Sequence, residues 1–208
     1  MAIGTYTELQ TAVANWLDRD DLADRIPEFI SLAEARFNRS LRLRSMESKQ
    51  TASTIGGQRN YNLPPNYIQM RNFQLNTSPI KTLSYVTPEI YDRLWGGSAE
   101  GTPQFYTIAA NEISLGPVPA SAITMEMLFY KRFDDLSAST TTNWLLTNAP
   151  DIYLYASMLE AEPFIMNDER VPLWSAALKE GISQMQEQDN KDRHSGSALR
   201  VMNTSGYM

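Results

Sequence analysis

The chain's 208 residues carry 24 Asp and Glu against 18 Lys and Arg, with 42% hydrophobic residues and no cysteine. The balance is that of a globular chain, and the missing cysteines exclude a disulfide framework, a thiolate metal site and a cysteine nucleophile. The net charge of -6 has the wrong sign for wrapping nucleic acid, because phosphate neutralisation supplies most non-specific affinity; no secretory signal and no apolar run of the roughly 18 residues that span a bilayer are present, so the chain reads as soluble and intracellular.

Thr5 with Glu8 three residues on has capping-box spacing, and Leu9, Ala12, Val13, Trp16 and Leu17 then recur at the helical period. A second helix is predicted over 22–43, with Leu22, Ile26, Phe29, Ile30, Ala33, Phe37 and Leu41 on one face and Pro27 in the first turn. Arg36, Arg39, Arg42 and Arg44 gather at its far end, where cations complement the helix dipole. They read either as a solvated helix end or as a basic contact patch for an acidic partner or phosphate.

The pattern changes after Met46. Residues 48–55 lack a helical stripe, and Gly56-Gly57 precedes Tyr61-Asn62-Leu63, which predicts a hairpin with Gly-Gly at its tip. Residues 67–75 and 80–86 are further strand candidates. Thr87-Pro88 opens a short helix to about Trp95, with Ile90, Leu94 and Trp95 pointing inward. Residues 105–108 and 112–115 pair around Ala110-Asn111. Ile123, Met125, Met127 and Phe129 alternate with more polar neighbours, the best period-two signal in the chain.

After a polar loop over 134–142 comes the stretch around which the chain is organised, NAPDIYLYASMLEAEPFIM at 148–166. Ile152, Tyr155, Ala156 and Leu159 form one apolar stripe, and Leu154, Met158, Ala161 and Ile165 a second. Such a helix must be buried on both sides, and Pro163 should kink or end it. A last helix begins near Asp168 with Val171, Trp174, Leu178, Gly181, Ile182 and Met185 as its stripe. From Gln186 onward the chain turns polar and is expected to be loose. The predicted fold class is α+β: a helical bundle made from the N- and C-terminal helices with an inserted antiparallel β domain. Residues 1–45 and 134–188 form the bundle, 46–133 the insert and 189–208 an extended C-terminal segment.

Chemistry-bearing motifs are scarce. The single histidine, His194, lies in the polar segment, without the packing and carboxylate that a catalytic triad needs. No phosphate-binding loop occurs, and Gly96-Gly97 with Gly101 lacks the strand–turn–helix context of a dinucleotide site. Adjacent acids such as Asp134-Asp135 do not supply the separation that a glycosidase requires. Trp144, Tyr153 and Tyr155 read as core. No catalytic residue, metal site or cofactor is predicted.

The order of segments is more informative. TYTELQTAVANWLDRDDL and SLAEARFNRSLR are followed by YNLPPNYIQMRNFQL, GTPQFYTIAANEISLGPVP, MEMLFYKRF and NWLLTNAPDIYLYASMLEAEPFIMNDERVPLW. Over nearly its whole length the chain resembles the head-to-tail adaptor (connector) proteins of tailed bacteriophages, including the type called tail tubular protein A. The resemblance implies a structural protein without enzymatic activity. It implies a ring, usually of twelve copies, below the portal protein, which extends the DNA channel and docks a tail nozzle or other tail protein. DNA would pass through without specific binding, and the protein would be made in the host cytoplasm and reside in the virion at the head–tail junction. Some relatives extend the C-terminus to bind the portal; by position and composition Leu199, Val201, Met202, Tyr207 and Met208 would do so here. Two alternatives stand beside it: a nucleic-acid-binding module using Arg36, Arg39, Arg42, Arg44, Lys131 and Arg132, and a glycosidase with an unassigned carboxylate pair.

Overall fold

The computed structural model describes residues 3–97, 99–166 and 169–193. In chain order the elements are α1 (Tyr6–Leu17), α2 (Ile26–Ser40), β1 (Glu47–Ser53), β2 (Asn60–Asn62), β3 (Tyr67–Leu75), β4 (Lys81–Thr82), β5 (Ser84–Tyr85), α3 (Pro88–Trp95), β6 (Glu100–Gly101), β7 (Phe105–Ala109), β8 (Glu112–Gly116), β9 (Val118–Pro119), β10 (Thr124–Lys131), α4 (Trp144–Asn148), α5 (Pro150–Ile165) and α6 (Val171–Arg193). The fold is α+β, with helices at both ends and an inserted, largely antiparallel β region. The chain divides into two compact units, 1–45 with 133–208, and 46–132.

In the helical unit, α1 opens on the predicted capping box: the Glu8 amide donates to Thr5 Oγ1 at 3.3 Å and the Thr5 amide to Glu8 Oε2 at 3.0 Å. α2 is shorter than predicted at both ends. Leu22 is buried from a separate 3₁₀ turn, Asp20–Leu22, and the helix starts at Ile26, which keeps Pro27 in the first turn where its missing N–H breaks no bond.

α5 packs against α1, α2 and α6, and Ile152, Tyr153, Leu154, Ala156, Ser157, Met158 and Ala161 are buried along it. Each large apolar side chain so buried contributes about 1.5–3 kcal/mol, and the Tyr153 ring stands edge-on to Phe37 at 5.1 Å between centroids. Pro163 sits in the last turn of α5, which ends two residues later at Ile165, with Met166 as its cap at φ 54°. Of the polar stretch expected to be loose from Gln186 onward, the part through Arg193 is helical, as α6 runs to that residue, and residues 194–208 lie outside the described residues. The turns of α6 near Arg193 are tied by Asp189, which accepts from the Arg44 amide at 2.8 Å and from Arg193 Nε at 2.8 Å.

In the strand unit two four-stranded sheets have the orders β1-β10-β3-β4 and β2-β8-β7-β5, with a two-stranded β6-β9 pair beside them. The alternation over 124–131 is real: Met125, Met127 and Phe129 of β10 are buried with Phe73 and Leu75 of β3, Tyr106 of β7, and Ile113 and Leu115 of β8. The predicted hairpin is not formed. β1 pairs with β10 along all seven of its residues, and β2 pairs with β8 in the other sheet. The residues between them are pinned elsewhere, because buried Thr54 Oγ1 donates to Ser121 O at 2.8 Å and accepts the Ile123 amide at 2.8 Å. Gly56 then passes the Ala120 carbonyl, which an added Cβ would meet at 3.0 Å. Gly-Gly therefore crosses between sheets. The strand expected over 80–86 likewise splits, β4 joining β3 and β5 running parallel to β7.

α3 turns a different side inward than predicted. Tyr91 is its buried anchor, with the hydroxyl donating to Leu115 O at 2.8 Å, while Ile90 and Leu94 are exposed. Trp95 is half-buried and stacks on Phe105 at 4.7 Å. Glycine at 116 makes this possible, since a Cβ there would lie 3.0 Å from both Tyr91 and Trp95.

Candidate docking surfaces

Two buried polar residues on α2 organise one side of the helical unit. Glu34 follows Ile30 by one turn, on a face otherwise apolar. Its Oε1 accepts the Leu136 amide at 2.8 Å and the Tyr153 hydroxyl at 3.2 Å. One turn on, Asn38 Oδ1 accepts the Phe133 amide at 3.3 Å. Asn143 completes the network: its Nδ2 donates to Tyr153 Oη at 2.6 Å and its Oδ1 caps α4 through the Leu146 amide at 2.9 Å. Burial, and secondly the Glu34 carboxylate, push the Tyr153 phenol far above its ordinary range, so it serves as a neutral donor. The network fixes the returning chain at 133–146 and with it Trp144, whose ring lies parallel to Phe133 at 6.2 Å.

Trp144 is in turn one wall of a groove of about 470 Å³. Leu43, Ile152, Gly181 and Met185 supply apolar lining, and Asp151, Asp189, Asp192 and Arg44 supply charge. Gly181 allows α6 to approach α5 closely: a Cβ there would meet Ile152 Cγ1 at 3.2 Å. Arg44 Nη1 donates to the Asp192 carbonyl at 2.9 Å and Nη2 stands 3.5 Å from its carboxylate. In the strand unit a second cleft, about 560 Å³, is bounded by Leu63, Pro64, Pro65, Asn66, Asn111 and Arg132.

The arginines singled out in the sequence are largely engaged within the helical unit. Arg36 pairs with Glu160 of α5 at 2.6 Å, Arg42 Nη1 donates to the carbonyls of Asn38 and Leu41, and Arg44 is held as described. Arg39 is exposed, with no ion pair among the described residues. Lys131 and Arg132 belong to the strand unit. His194 and the C-terminal positions Leu199, Val201, Met202, Tyr207 and Met208 lie outside the described residues. Trp144, expected in the core, is 42% exposed. Among the described residues no group of His, Asp and Glu is arranged to hold a metal ion, and no helix is long and apolar enough to cross a membrane.

Both apolar stripes of α5 are largely covered within the subunit, and the apolar surface left for partners lies at its C-terminal end and on other elements. Leu32, Phe164, Met166 and Leu173 are exposed on the helical unit, and Phe164 rests against Phe29 at 6.0 Å. Ile55, Ile80, Tyr85 and Leu94 are exposed on the strand unit. Charge is also divided: the helical unit carries 18 acidic against 11 basic residues and the strand unit 6 against 7. Periodicity revealed neither the groove nor the Glu34 network. The one available signal was a carboxylate at a helical interval from Ile30 and between Ala33 and Phe37.

The chain matches no curated protein. A family model does match it: residues 4–202 fit the SU10 adaptor protein family, and the chain belongs to this family of phage structural adaptors, components of the virion.

Proposed function

We propose that the protein is a subunit of a ring, of about twelve copies by the family resemblance, that sits below the portal, extends the DNA channel and docks a tail nozzle or other tail protein, as in the tail tubular protein A type. The observation that carries this is the pair of separate exposed apolar sets, Leu32, Phe164, Met166 and Leu173 on one unit and Ile55, Ile80, Tyr85 and Leu94 on the other. A closed ring uses heterologous contacts, in which one face of a subunit meets a different face of the next. The acidic excess of the helical unit suits a wall past which DNA slides without sticking. The engagement of Arg36, Arg42 and Arg44 inside the subunit weighs against the nucleic-acid-binding alternative.

In this assignment Leu199, Val201, Met202, Tyr207 and Met208 form an arm that grips the portal. Purified protein mixed with its portal should give a stoichiometric complex with a ring visible by electron microscopy, and removing residues 195–208 should weaken it at least tenfold. Absence of any complex with the intact chain would overturn the assignment. Equal affinity of the shortened chain would remove the arm from it.

A further inference from the structure

α3 is amphipathic, yet part of its apolar side faces water. Tyr91 is anchored on the Leu115 carbonyl beside Gly116, and Trp95 stacks on Phe105, which fixes the rotation of the helix. Ile90 and Leu94, one turn apart, are left 38% and 57% exposed. At about 100° per residue, Arg93 lies next to Ile90 on the water side and Asp92 on the far side of the helix. Arg93 is exposed and makes no ion pair among the described residues. We propose that α3 of one copy seats in the groove between Trp144, the start of α5 and α6 of a second copy. Ile90 and Leu94 then cover the apolar lining, and Arg93 faces Asp151. The seat rests on the ring reading only for the presence of that neighbour.

Three observations converge on this occupant. The first is charge. Asp189 and Asp192 are already engaged by Arg193 and Arg44, whereas Asp151 is exposed and has no ion pair among the described residues. The groove therefore offers a carboxylate without a cation, and α3 offers a guanidinium without an anion beside its apolar pair.

The second is shape. A helix laid in a groove is anchored by apolar residues one turn apart. The eight residues of α3 span roughly 12 Å at about 1.5 Å each, within the roughly 17 Å over which the groove follows α6 from Gly181 to Asp192. Leu43, Trp144, Ile152 and Met185 supply the lining. The third is the sense of the contact. The helix belongs to the strand unit and the groove to the helical unit, so each copy gives one and offers the other. Such a contact between unlike surfaces is the kind from which a ring is built.

The chain has no cysteine, so a disulfide between introduced thiols reports the contact directly. One full-length chain carries Leu94→Cys, and another Gln184→Cys at an exposed position on the groove's wall. Mixed at high concentration under mild oxidation, they should give the mixed disulfide in about tenfold excess over either symmetrical one, and adding Arg93→Asp to the first chain should remove that excess. Asp151→Arg in the second chain should then restore it. Statistical pairing, an excess indifferent to Arg93→Asp, or no restoration by the exchanged charges overturns the proposal. So does a disulfide that closes within a single chain carrying both substitutions in dilute solution, because it puts α3 in its own groove. The portal separates the two readings. A mixed disulfide from chains that form no complex with the portal supports the seat and removes the ring, whereas a ring on the portal without that disulfide keeps the ring and overturns the seat.

Discussion

Replacing Glu34 with alanine should destabilise the helical unit by about 2–4 kcal/mol. The carboxylate is 5% exposed and accepts two hydrogen bonds, from the buried Leu136 amide at 2.8 Å and the Tyr153 hydroxyl at 3.2 Å. A hydrogen bond to a charged group is worth about 1.5–3 kcal/mol, and truncation leaves the Leu136 amide buried without an acceptor. Relief of the carboxylate's own desolvation offsets part of the loss, which sets the range below the simple doubling. Glu34→Gln keeps the acceptor oxygen and the volume and should cost about 1 kcal/mol, as should Tyr153→Phe. Chemical denaturation followed by circular dichroism resolves these differences, and the alanine variant should melt about 4–16 °C lower, at about 2–4 °C per kcal/mol for a chain of this size. In a cycle with Tyr153→Phe the coupling should exceed about 0.5 kcal/mol. An alanine variant within about 0.5 kcal/mol of the parent, the range of an ordinary surface change, would refute the claim that this network holds the returning chain.

Gly116→Ala puts a methyl group 3.0 Å from both Tyr91 and Trp95, so it should cost about 1–3 kcal/mol as overpacking and raise hydrogen exchange in α3 selectively. Normal protection of the α3 amides would show that the helix does not depend on that gap. Hydrogen bonds from the Gly4 amide first, and from Thr5, hold Glu8 below its ordinary value of 4.5. A depressed carboxylate contributes stability that is fully present above its unfolded value and is lost as pH falls through the lower folded one. The Gly4 and Thr5 amide resonances should therefore shift together below about pH 4.5, with the start of α1 fraying, and Glu8→Gln should abolish the pH dependence. Titration of those resonances around neutrality instead would remove Glu8 as the cause.

Sequence pattern served best where a single periodicity decided the structure. The capping box at Thr5 and Glu8, the doubly apolar α5 and the alternation of Met125, Met127 and Phe129 each follow from one local rule, and each is present. It failed where a long-range partner outbid a local one. Gly56-Gly57 signals a hairpin, but β10 offers β1 a seven-residue ladder and Thr54 locks onto residues 121–123. In α3 the apolar Ile90 and Leu94 lost to Tyr91 because only tyrosine both fills the space at Gly116 and reaches the Leu115 carbonyl. The groove combines residues from 43 to 192, and no window of sequence contains it.

The covering of α5 by α1, α2 and α6 changes where assembly energy must come from. A doubly apolar helix suggested surface for two neighbours, but that surface is consumed inside the subunit. The most exposed large apolar side chains of the helical unit, among the described residues, are Leu32, Phe164, Met166 and Leu173, at 50, 55, 77 and 69%. Covering the exposed part of each contributes about 1–2 kcal/mol, on the order of 5 kcal/mol for the four. Association itself costs about 4–15 kcal/mol in lost translational and rotational freedom. A single contact of this kind is near break-even, so it does not hold two free subunits together at ordinary concentrations. On a template, as the portal would be in the proposed assembly, the balance changes, because a subunit already fixed has met most of that cost and each neighbour contact then counts in full. In the ring proposed above, such a set would suit subunits that stay apart in solution and close only where a partner gathers them.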